Sequence, residues 1–446
     1  MFVTILLGYP FRTLLGAQQV GPLVRHCIEI AGGLLLTYFC FGLQIWHIFA
    51  QSLLCYLLMK NVRPGKMQLL VFVASLGYLC VGHVYRLIYD YGGYTLDITG
   101  PLMINTQRLS SLAFSLADGQ AKDESKLSPT TKQQAVKKFP SVLEFLSYVF
   151  SFHTIICGPF SFYQDYIHFI EGTDVSLSSQ THSVSNGKST PTKTPSHTPA
   201  GVVWRKLLEC VFCGFFTVVI LPKFPITHLR DNQYKQAHFL YRMLYVILCT
   251  SVTRQRYYLA WKLAEAGNIS SGFGFNGCDS SGKSKWDLLD NAHVLKVEFA
   301  SNLKVLLDNW NIRTSHWLRH VVYERVHSTL AVFVFSAFWH GFYGGYYISF
   351  MTAALFISAG RHVRRNIRPF FQSSAILSTL YDVITVVGTQ IMLAYLTFPF
   401  VLLEFWLSLE ILWGMFFWLH VVTIGVVILF TFVKLHAPKA DEKKVK

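Results

Sequence analysis

Apolar residues occur along the chain in runs long enough to cross a lipid bilayer, with polar segments between them. A helix that crosses the hydrocarbon core needs about 20 mainly apolar residues. The pattern therefore predicts an all-α, polytopic membrane protein with about eight to eleven transmembrane or re-entrant helices. The predicted spans are Ile28–Ile45, Ile48–Met59, Met67–Ile88, Val142–Phe160, Val202–Leu221, Phe239–Val252, Leu330–Ser358, Ile376–Leu403 and Ile411–Val433.

One segment between the predicted spans has a different composition. Residues 173–200 are rich in Ser, Thr and Pro and contain few apolar residues. Such a segment cannot bury enough apolar surface to offset the entropy of ordering, so it is predicted to be a disordered loop. Since the apolar spans continue on both sides of it, the whole chain, residues 1–446, is predicted to form a single membrane-embedded domain.

The cationic residues predict which ends of the spans face the cytosol. A basic segment, Arg361–Arg368, is predicted to be a cytosolic loop, because Lys and Arg accumulate on that side of a membrane. Two predicted spans follow it, so the tail 434–446 returns to the cytosol. The tail ends in Lys443-Lys444-Val445-Lys446, which resembles a dilysine signal for residence in the endoplasmic reticulum membrane.

Composition agrees with a membrane protein. Hydrophobic residues make up 52% of the chain and charged residues 14%, and the mean hydropathy is +0.37, which is too apolar for an ordinary soluble domain. The formal net charge of +15 is explained mainly by membrane topology, so no nucleic acid partner is expected. The nine cysteines lie mostly in apolar segments without a repeated spacing, and no metal site is predicted.

His340 is the first candidate for chemistry. It lies in an apolar stretch that contains no Asp, Glu, Lys or Arg from Leu330 to Ser358. An ionisable side chain at bilayer depth is costly and by default indicates function, although a hydrogen-bonded packing histidine is the alternative interpretation. Asn311 lies upstream in a polar segment. Acyl transfer to an alcohol needs a base and a donor for the developing oxyanion. His340 could supply the base, and Asn311 the donor or an orienting contact.

Several motifs surround this pair, namely Trp310-Asn311, Trp317-Leu318, Tyr323-Glu324-Arg325, Ser336-Ala337-Phe338-Trp339-His340-Gly341 and Tyr346-Tyr347. They resemble the membrane-bound O-acyltransferase family, and within it the lysophospholipid acyltransferase branch. The similarity is strongest to the type that acts on lysophosphatidylethanolamine and lysophosphatidylserine. The resemblance implies that His340 is catalytic, with Asn311 as its partner, beside a central chamber that acyl-CoA enters from the cytosol and the acceptor from the bilayer.

This resemblance implies a phospholipid-remodelling enzyme that transfers a fatty acyl group from acyl-CoA to the free hydroxyl of a lysophospholipid. Acyl-CoA is a substrate, so no cofactor is expected, and a homodimer is left open. Two alternatives remain at this point: acylation of a protein, a sterol or diacylglycerol, and a lipid transporter or scramblase that uses the intramembrane polar residues. The candidate substrate-binding residues are Trp310, Trp317, Tyr323, Arg325, Trp339 and Tyr347.

Overall fold

The computed structural model describes residues 2–93, 95–121, 123–173 and 198–433. Within these residues the regular structure is helical, apart from one isolated β-bridge between Cys278 and Ser284. The predicted all-α class is therefore confirmed. The predicted disordered loop 173–200 falls almost entirely outside the described residues, and the predicted tail 434–446 lies wholly outside them.

The sequence predicts a single domain, and the described residues group into two compact units, each built from three non-consecutive stretches of chain. The first unit comprises the described parts of Met1–Gly214, Tyr257–Ala292 and Asn311–His327. The second comprises those of Phe215–Arg256, His293–Trp310 and Ser328–Lys446. Asn311 therefore belongs to the first unit and His340 to the second.

The first helices of the chain belong to the first unit. They are α1 (Phe2–Leu14), α2 (Pro22–Phe41), α3 (Ile45–Asn61), α4 (Met67–Tyr89), α5 (Thr99–Gly119), α6 (Pro129–Gln133), α7 (Val142–Val149), α8 (Tyr163–Glu171) and α9 (Ala200–Phe215). The remaining helices are α10 (Asn232–Gln236), α11 (Phe239–Ser271), α12 (Val294–Glu298), α13 (Leu303–Asn309), α14 (Ile312–Leu318), α15 (Glu324–Val326), α16 (Thr329–His340), α17 (Gly344–Asn366), α18 (Ala375–Leu402), α19 (Phe405–Gly414) and α20 (Trp418–Phe432). Of these, α14, α15 and the end of α11 belong to the first unit.

Several helices are long and apolar enough to cross a membrane, which agrees with a multi-pass protein. Within the described residues, four helical stretches meet that requirement, and α19 with α20, bent by 78°, would make a fifth. Two of the predicted spans fall in one stretch, because only a short 3-10 turn separates α2 from α3. The predicted count of eight to eleven spanning or re-entrant helices stays a prediction. The four stretches are Pro22–Asn61, Met67–Tyr89, Ala200–Arg230 and Ala375–Leu402.

The predicted span Val142–Phe160 is wrong. Helix α7 begins at a capping box formed by Ser141 and Glu144 and ends at Val149 after eight residues. The chain then turns through residues 151–157 before Gly158, whose φ of +72° does not continue a helix. Most of this segment is buried within the protein, although Val142 at its start is exposed, and hydropathy alone does not distinguish burial in protein from burial in lipid.

Three other predicted elements need correction. The apolar run Leu330–Ser358 is two helices, α16 and α17, which are interrupted directly after His340. The run Ile411–Val433 is divided between α19 and α20. The basic segment Arg361–Arg368 is mostly helix and not loop, since α17 continues to Asn366.

Helix α5 was not predicted, because its sequence is polar. Sixteen of its 21 residues are buried, including Asn105, Gln107 and Arg108. The Asn105 amide donates to Gln51 Oε1 at 2.8 Å, and the Gln107 amide donates to Thr314 Oγ1 at 3.0 Å. Buried polar groups are tolerated when they are hydrogen-bonded in this way, so α5 is a polar core helix of the first unit.

Candidate active site

His340 is the last residue of α16, and the residue after it ends the helix. Gly341 has a φ of +125°, a conformation that L side chains rarely adopt, and its N–H donates to the Phe338 carbonyl. The helix begins at Ser328, whose hydroxyl accepts from the Ala331 N–H. The sequence thus fixes both ends of α16 and places the imidazole at the break between α16 and α17.

One hydrogen bond sets the tautomer of His340. Nδ1 lies 2.6 Å from the Ser336 carbonyl oxygen. A carbonyl can only accept, so Nδ1 carries the proton, and in the neutral ring Nε2 is the nitrogen with the basic lone pair. The ring is half-buried among aromatic neighbours, with centroid distances of 5.7 Å to Tyr346, 5.0 Å to Phe350 and 5.3 Å to Phe400. This arrangement suits a general base in a site with little water.

The start of α17 lies close to the end of α18. The Gly345 N–H donates to the Leu403 carbonyl at 2.8 Å, and a Cβ on Gly345 would lie 2.1 Å from the Pro399 carbonyl oxygen. A Cβ on Gly344 would lie 2.5 Å from Phe405 Cβ. The two glycines therefore permit a backbone approach that no larger residue allows, directly beside the segment that carries His340.

A second histidine of the same unit, His420 in α20, has a different environment. Its Nε2 lies 3.0 Å from Thr352 Oγ1 and its Nδ1 lies 3.3 Å from the Tyr395 hydroxyl. Both ring nitrogens thus contact side-chain hydroxyls, which is typical of a packing histidine. The contacts of His420 are explained by packing, and the catalytic role of His340 stays a prediction.

Asn311 lies directly before α14 in a left-handed conformation, with φ +48° and ψ +50°. Asparagine tolerates this conformation better than most residues. Its side chain makes no capping bond to α14, and its Oδ1 instead accepts from the Asn291 amide at 3.2 Å. The side chain is half-buried, so it is held in place and still accessible.

Asn291, which was not predicted as a site residue, caps the start of α14 in place of Asn311. Its carbonyl accepts from the Ile312 N–H at 2.8 Å, and its Oδ1 accepts from the Arg313 N–H at 3.1 Å. These are two of the N–H groups that the first turn of a helix leaves without a partner. No pattern in a single sequence distinguishes this asparagine from others in polar loops.

A buried charge cluster, also missed, holds Asn291. Glu265 Oε1 accepts from the Asn291 N–H at 2.8 Å, while its Oε2 accepts from Lys206 at 2.6 Å and from Lys262 at 2.9 Å. Lys206 also donates to Asp290 at 2.8 Å. Burial raises the pKa of the Asp290 carboxyl, and the charge of Glu265 raises it further, whereas Lys206 lowers it. Charged residues within the apolar helix α9 were the available signal.

The aromatic candidates lie in different environments. Trp317 is fully buried and its indole N–H donates to Ser110 Oγ at 2.9 Å, which is a packing contact to α5. Trp339 is also buried, while Trp310 and Tyr347 are half-buried and Tyr323 is 37% exposed. A substrate role for these five residues stays a prediction, and partial exposure favours Trp310, Tyr323 and Tyr347.

Arg325 has a protein partner. Its guanidinium forms a bidentate salt bridge with the Asp118 carboxylate, with N–O distances of 2.8 and 2.6 Å. Its Cζ also lies 4.9 Å from the centroid of the Phe114 ring. Binding a substrate phosphate would compete with this pair. Its substrate-binding role stays a prediction, and the contacts support an interhelical role between α5 and α15.

Other cationic side chains line a cavity of the second unit. The cavity has a volume of about 270 Å³, and Arg364 and Arg368 line it together with Tyr381, Asp382 and apolar residues of α18 and α20. Among the described residues, no group of three or more His, Cys, Asp or Glu side chains could hold a metal ion. That no cofactor is needed stays a prediction.

The family is shown by comparison with known proteins. Residues 84–400 match the model of MBOAT, the membrane-bound O-acyltransferase family. This match and the helical fold define a membrane-embedded acyltransferase. The chain belongs to the membrane-bound O-acyltransferase family, and the resemblance drawn from the Trp-Asn and Trp-His-Gly motifs is confirmed.

Individual relatives are similar over nearly the whole chain. Lysophospholipid acyltransferase 6 of Drosophila melanogaster is 39% identical over 419 residues, which cover 93% of this chain and 58% of the relative. Membrane-bound glycerophospholipid O-acyltransferase 2 of Gallus gallus is 39% identical over 425 residues, 94% of this chain and 82% of the relative. Lysophospholipid acyltransferase of Schizosaccharomyces pombe is 33% identical over 434 residues, 93% and 82% respectively.

Proposed function

We propose that this enzyme transfers a fatty acyl group from acyl-CoA to the free hydroxyl of a lysophospholipid. The names of the Drosophila and fission yeast relatives support a lysophospholipid as the acceptor. A lysophospholipid presents a glycerol hydroxyl at the membrane surface, and acyl-CoA presents a thioester whose acyl chain can enter the bilayer. An acyltransferase embedded in the membrane is suited to bring the two together.

The observation that carries the proposal is the hydrogen bond from His340 Nδ1 to the Ser336 carbonyl. With Nδ1 protonated, Nε2 is the basic nitrogen of the neutral ring, and it takes the proton of the acceptor hydroxyl. As that proton moves to Nε2, the hydroxyl oxygen bonds to the thioester carbonyl carbon, and the carbonyl oxygen gains negative charge. When the C–S bond breaks, the electron pair goes to sulfur, and the protonated His340 returns the proton to give free CoA.

Asn311 is proposed to contact the reacting oxygen, where it either orients the acceptor hydroxyl or stabilises the negative oxygen of the tetrahedral intermediate. A hydrogen-bond donor aimed at a developing oxyanion contributes roughly 10²- to 10³-fold to turnover. The aromatic candidates that are partly exposed, Trp310, Tyr323 and Tyr347, are proposed to contact the acyl chains or the glycerol. Arg364 and Arg368 are the cations that we propose for phosphate groups of acyl-CoA, because they line the cavity of the second unit.

The cellular setting is part of the proposal. The lysine-rich end of the chain favours the endoplasmic reticulum membrane as the site of action. A homodimer stays an expectation. Phospholipid remodelling, in which a lysophospholipid is re-acylated, is the reaction sequence that these substrates define.

The test is acceptor-dependent release of CoA by the purified protein in detergent. Oleoyl-CoA is offered with lysophospholipids that differ in headgroup, and also with diacylglycerol and a sterol. We expect release with at least one lysophospholipid, and a loss of at least about 10²-fold in His340→Ala, because general acid–base catalysis contributes that much. His420→Gln is the matched control and should keep most of the activity. Near-normal turnover in His340→Ala would refute the role of His340, and release with only the neutral acceptors would refute the acceptor class.

A further inference from the structure

The capping contacts of Asn291 also determine which end of the Asn311 amide is offered to the substrate. An asparagine side chain has one accepting oxygen and one donating NH₂ group, which have nearly the same shape. Which end is oxygen and which is NH₂ is determined only by a neighbour that can donate but not accept, or accept but not donate. The backbone N–H of Arg313 is such a neighbour, since it can only donate, and it lies 3.1 Å from Asn291 Oδ1.

The Arg313 N–H determines the orientation of the Asn291 amide, which in turn determines the orientation of the Asn311 amide. Because the oxygen of Asn291 accepts from Arg313, the other end of the Asn291 amide must be its NH₂ group. That group lies 3.2 Å from the Asn311 side chain, so the atom of Asn311 that it meets is the oxygen. The NH₂ group of Asn311 then points away from Asn291, and among the described residues it makes no hydrogen bond.

We propose that Asn291 is a positioning residue that makes Asn311 a hydrogen-bond donor to the substrate. The proposal rests on the proposed function, in which Asn311 contacts the reacting oxygen. It also decides between two roles. A donor stabilises the negative oxygen of the tetrahedral intermediate, whereas the amide oxygen would only orient the acceptor hydroxyl.

Asn291 is rigid enough for this role. Its residue is 2% exposed, and its backbone is held on both sides by the Glu265 carboxylate and the Ile312 N–H. Glu265 is itself fixed by two buried lysines, so the charge cluster supports the segment that carries Asn291. A side chain that is locked by its surroundings costs little reorganisation when the oxyanion forms.

The test is Asn291→Asp, which keeps the shape but replaces the NH₂ group with an oxygen. The carboxylate can still accept from Arg313 and cap α14. It cannot donate to Asn311, so the Asn311 amide turns round and presents its oxygen to the substrate. We expect kcat to fall by roughly 10²- to 10³-fold, as for loss of one oxyanion donor. KM should change by less than about 2-fold, because the interaction is made in the transition state.

A pH profile separates this role from general damage. Protonation of the new carboxyl restores a donor, so the ratio of variant to wild-type kcat should rise as the pH falls from 8 to about 5.5. Ser374→Asp is the control, because the exposed Ser374 also caps a helix, its hydroxyl accepting from the Leu377 N–H at 3.2 Å, and an aspartate can keep that cap. It should retain wild-type kcat at every pH.

Failure of the inference can be told from failure of the proposed function. Wild-type kcat in Asn291→Asp overturns the inference if Asn311→Asp is inactive, whereas wild-type kcat in Asn311→Asp overturns the role of Asn311 itself. If Asn291→Asp does not fold, Asn291→Ala is compared alone and combined with Asn311→Ala. A loss of kcat that disappears in the Asn311→Ala background supports positioning, and a loss of equal size in both backgrounds refutes it.

Discussion

The close approach of α17 to α18 gives a steric prediction that can be worked out from distances. In Gly345→Ala the new Cβ would lie 2.1 Å from the Pro399 carbonyl oxygen, and ordinary contact begins at 3.4 Å. The start of α17 must therefore move by about 1.3 Å relative to the end of α18. The obstacle is backbone, so no side chain can rotate away to relieve it.

The energetic cost has two parts. Overpacking of a well-packed site costs about 1–3 kcal/mol. The same movement breaks the hydrogen bond from the Gly345 N–H to the Leu403 carbonyl, worth about 1 kcal/mol. The expected loss of stability is about 2–4 kcal/mol, which lowers the Tm of a 446-residue chain by about 2–4 °C. Turnover should fall roughly 10- to 100-fold, since displacements of 1 Å near reacting groups have effects of that size.

Gly360→Ala is the matched control, because it is the same substitution in the same helix. A Cβ on Gly360 meets nothing within 4 Å, and alanine is the better helix former. Its Tm should therefore equal or exceed that of the wild type. Both variants are compared by thermal unfolding in detergent and by CoA release. A Gly345→Ala protein as stable as the Gly360→Ala protein would refute the steric reasoning.

Two further predictions concern buried charges of the first unit. Lys206→Met removes one cation from the cluster around Glu265 and should cost about 3–5 kcal/mol of stability. The loss should be seen as less monodisperse protein in size-exclusion chromatography. Adding Asp290→Asn should recover part of the lost stability, and no recovery would count against the pairing of Lys206 with Asp290. Burial, together with the nearby Arg325 charge, lowers the pKa of His320 from 6.5 to about 4. The unfolded chain therefore binds a proton at His320 more readily than the folded chain does, and Tm should fall as the pH drops from 6.5 towards 4. His320→Gln should make that fall shallower, and an unchanged slope in Tm against pH would contradict the assignment.

The sequence predicted the helices that face lipid better than those that face protein. Met67–Tyr89 and Ala375–Leu402 agree closely with their predicted spans, because a long apolar run has few other stable arrangements. The polar helix α5 was missed, since its Asn105 and Gln107 are compatible with burial only through partners that are distant in sequence. The break after His340 has a local cause in Gly341, but glycine in an apolar run is also compatible with a continuous helix.

The candidate site shows the same division. His340 and Asn311 were found from an ionisable residue in an apolar run and from the motifs around the pair. Asn291 was not found, because its importance lies in contacts with Asn311 and Arg313 that form only in the folded chain. A single sequence therefore shows candidate reacting groups more clearly than the residues that position them.

The cluster of Lys206, Glu265 and Asp290 has a consequence for how the protein is made. Lys206 lies in the apolar helix α9, and its partner Asp290 is 84 residues further along the chain. At about 5–20 residues per second, a ribosome needs roughly 4–17 s to synthesise that interval. During this time α9 carries a cation whose partners Glu265 and Asp290 are not yet complete, which makes its insertion into lipid alone less favourable. We therefore expect α9 to leave the insertion machinery late, and variants of the cluster to be degraded during biogenesis.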